Sequence, residues 1–137
     1  MSAIRVMLVE DDPFWQENLS SDLNREPDIE VVHIASTKED AVAAYRENAV
    51  DVILMDINLT ENNLDGIAAT QEIFGANKGN VKIIMITSLA EKEIIMKSFQ
   101  SGAINYLTKS SYKDIVRAVR EAYSGSASIH ADVAPVM

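Results

Sequence analysis

The sequence predicts an α/β domain built on a parallel sheet, and three observations carry that prediction. Five short β-branched or apolar runs recur along the 137 residues. Each is followed by a stretch whose apolar residues repeat at helical spacing. Three of the runs contain four consecutive apolar residues (VMLV, VILM and IIMI), the pattern of a strand buried on both faces by flanking helices. Strand and helix alternate five times, which argues for parallel strands joined by right-handed crossovers.

In chain order, the strand runs are Ile4–Val9, Glu30–Ala35, Val52–Met55, Lys82–Thr87 and Ile104–Thr108. Asp12 can cap the first helix, with Pro13 at its first position, where a missing N–H costs nothing. Trp15, Leu19 and Leu23 then recur on one face, which predicts a half-buried Trp15. Ser36 and Glu39 have capping-box spacing before Ala41, Val42, Ala44 and Tyr45. The third helix is expected over Asp65–Phe74, with Ile67, Ala68 and Ile73 inward. The fourth is expected over Glu91–Ser101, with Gly102 as a left-handed C-cap. Ser111 and Asp114 have capping-box spacing before Ile115, Ala118, Val119 and Ala122, and Gly125 ends that helix. Val116 and Tyr123 fall off its core stripe.

Composition narrows the function. The chain has no cysteine, so thiol catalysis, disulfides and cysteine-ligated metals are excluded. No apolar run approaches the length of a membrane span or a secretion signal, and a cytoplasmic, non-membrane protein is expected. The formal net charge is −9 with scattered basic residues, which argues against nucleic-acid binding through this chain. His33 and His130 have no partners at metal-ligand spacing.

In a parallel sheet the strands end at one edge, and ligand sites form there. The first strand run is followed by Glu10, Asp11 and Asp12, and the third by Asp56, Ile57 and Asn58. The fourth ends in Thr87 and is followed by Ser88; Tyr106 lies near the end of the fifth, and Lys109 follows it. Asp12 is most simply a helix cap. Any one of the others has an ordinary structural explanation. Three carboxylates, a hydroxyl and an amine converging on one rim do not. Such carboxylates repel unless a cation or protons intervene. With oxygen donors and no Cys or His, the cation expected is Mg²⁺. Asp56 could then act as a nucleophile toward phosphorus, with Lys109 and Thr87 holding two phosphoryl oxygens.

The motifs LVEDDP (Leu8–Pro13), ILMDIN (Ile53–Asn58), LDG (Leu64–Gly66), MITS (Met85–Ser88) and GAINYLTK (Gly102–Lys109) together resemble a two-component response regulator receiver domain. The resemblance runs from about Ile4 to Gly125. It implies a flavodoxin-like three-layer sandwich with sheet order 2-1-3-4-5. It also implies that Asp56 is the phosphoacceptor and a metal ligand. Asp11 would be a direct Mg²⁺ ligand, with the backbone carbonyl of Asn58 completing the protein ligands and Glu10 acting through a water. Thr87 would be the switch hydroxyl, Lys109 its phosphate-binding partner, and Tyr106 an aromatic that changes rotamer as Thr87 moves. Ser88 would be the small residue that leaves access for a phosphodonor. The implied role is signalling rather than enzymatic turnover, with a sensor histidine kinase as donor. Phe14, beside the first helix's stripe, is a candidate contact for that kinase.

IEVVHIAS (Ile29–Ser36), KSSYKDIVRAVREAYSG (Lys109–Gly125) and Ser110 after Lys109 are more similar to the NarL/LuxR-type subfamily. Residues 1–125 are then the receiver, and 126–137 a tail or the start of a linker. That subfamily implies a C-terminal helix-turn-helix domain, absent from this chain, as the only route to DNA. Homodimerisation is also expected, with Val116 and Tyr123 as candidate contacts. The loop NLTENNLDG (Asn58–Gly66) departs from the family: it lacks the usual Met-Pro step and is one residue longer. Asp56-Ile57-Asn58-Leu59-Thr60 also partly resembles the DxDxT motif of haloacid-dehalogenase-type phosphohydrolases. There the second Asp is the general acid, and here it is Asn58.

Overall fold

The computed structural model describes residues 3–57, 65–77, 81–88 and 92–125. Its elements are β1 (Ile4–Val9), α1 (Pro13–Asn24), β2 (Ile29–Ala35), α2 (Lys38–Glu47), β3 (Val52–Asp56), α3 (Asp65–Asn77), β4 (Lys82–Thr87), α4 (Lys92–Gln100), β5 (Asn105–Thr108) and α5 (Ile115–Ser124). The strands form one sheet in the order β2-β1-β3-β4-β5, and every pairing is parallel. This is the flavodoxin-like arrangement that the resemblance implied.

Strand alternation divides the core in two. Val6, Leu8, Val52, Leu54, Ile84, Ile86 and Leu107 pack with Leu19 and Leu23 of α1 and Ile115, Val119 and Ala122 of α5. Met7, Val9, Ile53, Met55, Ile83, Met85 and Tyr106 pack instead with residues of α2, α3 and α4. The outermost strand, β2, carries one extra residue. Val6 pairs with Val31 but Met7 pairs with His33, so Val32 bulges out. Ile29 therefore belongs to the α1/α5 core, while Ala35, six residues on, belongs to the other.

Asp12 caps α1 as expected, its Oδ1 accepting from the Phe14 N–H at 2.8 Å. The second helix begins one residue later than Ser36 and Glu39 suggested. Thr37 is its N-cap, and Thr37 Oγ1 accepts from the Asp40 N–H at 3.0 Å. Ser36 Oγ is taken by the Gln16 side chain, 3.0 Å away. The α-helix expected to follow a cap at Ser111 begins only at Ile115, with Asp114 at its N-cap position. The chain leaves β5 through a 3₁₀ segment, Lys109–Asp114, in which Ser111 departs from helical angles (φ −107°, ψ 25°), and Asp114 makes no side-chain capping bond. Trp15 is half-buried against the α1/α5 core, as its stripe predicted. Tyr123 is exposed, whereas Val116 packs partly against that same core. Glu91, placed in the fourth helix from sequence, lies outside the described residues.

Gly66 brings α3 against the end of β3. Its N–H donates to the Ile57 carbonyl at 2.8 Å. A Cβ there would collide with the Asp56 carbonyl oxygen and come within 2.6 Å of the Ile57 Cα. Both obstacles are backbone, so neither can rotate away. Replacing Gly66 by Ala should therefore destabilise the fold by about 2–3 kcal/mol in urea denaturation. At Gly75, in the same helix, a Cβ meets nothing within 4 Å. Gly75→Ala should stabilise by roughly 0.4–1 kcal/mol through the unfolded chain. Equal effects at the two positions would refute the close approach.

Candidate functional site

Three strand ends build the site. Glu10 directly follows β1, and its N–H continues the ladder to the Ala35 carbonyl at 2.9 Å. Asp56 closes β3, and Lys109 directly follows β5. Leu8, Leu54 and Leu107 all face the α1/α5 core. Two residues further along each strand, the pleat returns to the same side. Glu10, Asp56 and Lys109 consequently meet: Lys109 Nζ lies 2.6 Å from Glu10 Oε1 and 3.3 Å from Asp56 Oδ2. Asp11 is exposed, yet its carboxylate joins theirs in a group of oxygens all within 4.8 Å of one another.

Thr87 and Tyr106 occupy the opposite side of the pleat. Thr87 follows Met85 by two positions and is buried at the end of β4. Tyr106 pairs with Met85 and is fully buried in the α2–α4 core. Ser88 is exposed beside Thr87. Asn58 and the departing loop, Leu59–Leu64, lie outside the described residues. Phe14 is 62% exposed at the start of α1, so an outside partner can reach it.

The pocket is electrostatically unfinished. Glu10 is wholly buried, and its Oε2 accepts no hydrogen bond. Burial, and then the neighbouring Asp56, push the Glu10 carboxyl from its ordinary 4.5 up to about 9, although Lys109 pulls the other way. Burial and the Asp56 charge likewise raise Asp11. For Lys109, burial alone would lower the ammonium, but its hydrogen bond to Glu10 and the charges of Asp56 and Glu10 outweigh it, and the net shift is upward. Were all three carboxylates ionised, one ammonium would leave two negative charges unmatched. A divalent ion that prefers oxygen donors matches both the charge and the donor set. An orphaned buried carboxylate oxygen is a further fit, so the residues present suit Mg²⁺.

Some contacts were not foreseen from sequence. Glu10, which the resemblance assigned to the metal through a water, also pairs with Lys109 at 2.6 Å. The Gln16 side-chain amide donates to the Glu10 carbonyl at 2.6 Å and bonds Ser36, fixing the loop between β1 and α1. Trp15, expected to be half-buried on the α1 stripe, also has its ring centroid 5.3 Å from Lys109 Nζ. Its position four residues after Asp11, in the first turn of a helix that starts at the ligand edge, was the available signal.

The family model for the response regulator receiver domain matches residues 6–120. The chain belongs to this family. The receiver is 38% identical to the response regulator UvrY of Escherichia coli K12 over 135 residues, covering 98% of this chain and 61% of UvrY. It is 36% identical to the transcriptional regulatory protein LiaR of Bacillus subtilis over 132 residues, covering 96% and 61%. The receiver thus spans about three-fifths of the length of the curated relatives it matches. A LuxR-family two-component response regulator from Aurantimonas sp. SI85-9A1 superposes with a TM-score of 0.89 at 31% identity, covering 98% of this chain and 94% of that one. These relatives place the receiver in the NarL/LuxR-type group. Neither the fold nor these similarities supports the phosphohydrolase alternative. Among the described residues no helix is long and apolar enough to cross a membrane.

The raised Glu10 carboxyl sets a sign for stability. Without a divalent ion the folded receiver keeps a proton that the unfolded chain releases above pH 4.5. Glu10's contribution to stability therefore falls as pH rises from about 4.5 toward 9. In chelator, the melting temperature should drop by several degrees between pH 6 and pH 9, equivalent to roughly 1 kcal/mol or more. Millimolar Mg²⁺ should flatten that slope, because a bound cation displaces the proton. Glu10→Gln should flatten it without any cation. An unchanged slope in that variant would rule out Glu10 as the source.

Proposed function

We propose that this receiver accepts a phosphoryl group on Asp56 from a sensor histidine kinase or a small phosphodonor and relays it as a conformational change. The observation that carries the reading is the buried Asp56 carboxylate, set among Glu10 and Asp11 and in contact with Lys109. An Asp56 oxygen attacks phosphorus, the new O–P bond forms as the donor's bond to phosphorus breaks, and the electron pair leaves with the donor's histidine or acetate. Asp11, Asp56 and the Asn58 carbonyl would hold Mg²⁺, with Glu10 acting through a water. When bound, the ion supplies positive charge to the transferring oxygens.

The receiver's own residues do the rest. Lys109, paired with carboxylates before transfer, turns to a phosphoryl oxygen once Asp56 carries one. Thr87 donates its hydroxyl to another. Ser88 leaves the approach to Asp56 open. As Thr87 moves, the buried Tyr106 ring repacks, and the surface formed by β4, α4 and β5 changes with it. In this reading residues 1–125 form the functional unit and 126–137 lead toward a DNA-binding domain. The likeness to regulators such as LiaR supports a transcriptional output, reached directly or through a homodimer. The same likeness supports a cytoplasmic setting. The receiver would catalyse only its own phosphorylation and dephosphorylation.

Incubation with acetyl phosphate and Mg²⁺, followed by intact mass, tests the reading. The wild type should gain one phosphoryl group, and omitting Mg²⁺ or substituting Asp56→Asn should abolish the gain. A wild type that gains nothing, or a variant that gains as much, would overturn it.

A further inference from the structure

The Lys109 ammonium has a neighbour that the acidic pocket does not explain. Its Nζ sits 5.3 Å from the centroid of the Trp15 ring, within the range in which an aromatic face attracts a cation. The Lys109 side chain is only 14% exposed, so this attraction is weakly screened by water. The indole is itself fixed from two sides. Phe14 meets it edge-on at 5.3 Å and 89°, and Tyr112 meets it at 5.7 Å and 71°. Tyr112 belongs to the same 3₁₀ segment that begins at Lys109. Trp15 therefore joins the first turn of α1 to the turn that carries the lysine. A lysine head on four flexible methylenes has many rotamers to lose, and the indole adds a contact beyond the two carboxylates that limits them.

We propose that Trp15 is a positioning residue, which holds the Lys109 ammonium against the Glu10–Asp56 pocket by cation–π contact. The indole touches neither the acceptor oxygen nor the donor and acts only through the lysine. For phosphoryl transfer this rests on the phosphoacceptor reading above, because the benefit to rate comes from having Lys109 in place before the transferring oxygens arrive.

A double-mutant cycle tests it. Trp15→Leu keeps an apolar side chain but removes the π face, and Trp15→Phe keeps a smaller face. Lys109→Met removes the charge. In the wild-type background, Trp15→Leu should slow phosphorylation by acetyl phosphate and Mg²⁺ about tenfold, and Trp15→Phe should recover most of the rate. In the Lys109→Met background, Trp15→Leu should change the rate less than about twofold. A merely structural Trp15 would impair both backgrounds equally, and that result would overturn the proposal. The same four proteins, unfolded in urea, give a readout that needs no phosphate. The shift in midpoint caused by Trp15→Leu should be larger with Lys109 present than with Met. If the wild type takes no phosphoryl group, the phosphoacceptor reading fails, and coupling in urea still decides the contact. Additive midpoints would refute the contact, whatever the chemistry does.

Discussion

The burial of two carboxylates beside one another is the constraint around which this domain is organised. Glu10 and Asp56 are almost completely removed from water, with Asp11 close enough to add to their repulsion. Isolated buried charges of one sign are strongly unfavourable. The structure offsets part of this with a lysine brought from the far end of the sequence. Lys109 is 99 residues from Glu10 and bridges both buried groups. One ammonium does not balance three carboxylates. A proton on Glu10 removes one of the two excess negative charges, and a divalent ion, with Mg²⁺ as proposed, would match both. The pocket is thereby sensitive to whatever positive or negative charge enters it, a property that a fully neutralised cluster would lack.

The backbone serves that constraint in specific ways. Parallel strands all deliver their ends to one edge, so carboxylates from β1 and β3 meet an amine from β5 without any excursion of the chain. The side-chain period of two puts all three on the α1/α5 side. Gly66 lets α3 press directly on the carbonyl of Asp56. Gln16 fastens the carbonyl of Glu10. Much of what resembles ordinary loop and helix architecture thus fixes the acidic side chains at a separation they would not choose.

The fold was legible because its signals are local. Continuous apolar runs marked β1, β3 and β4, and Asp12–Pro13 marked the start of α1. The strand-end carboxylates and Lys109 were legible for the same reason, since a parallel sheet turns strand order into spatial proximity. The failures are equally physical. Ser36 and Thr37 are both competent caps, and only the competing bond from Gln16 decides between them. The 3₁₀ path after Lys109 depends on how β5 meets α5, which capping-box spacing does not encode. The bulge at Val32 was invisible because Ile29, Val31, His33 and Ala35 fit an uninterrupted strand equally well. The role of Trp15 was hidden by its own hydrophobicity, which already accounted for its place on the α1 stripe.

The sheet is also a partition. The two cores named above share no residue, and each is closed by its own set of helices. Glu10, Asp56 and Lys109 stand over one of them, while Thr87 and Tyr106 belong to the other side. The two sides come together at the rim where the strands stop, since Asp56 ends β3 on one side of the pleat and Thr87 ends the neighbouring β4 on the other. The domain is in that sense two rooms that share a threshold, and the threshold is where its acidic residues sit.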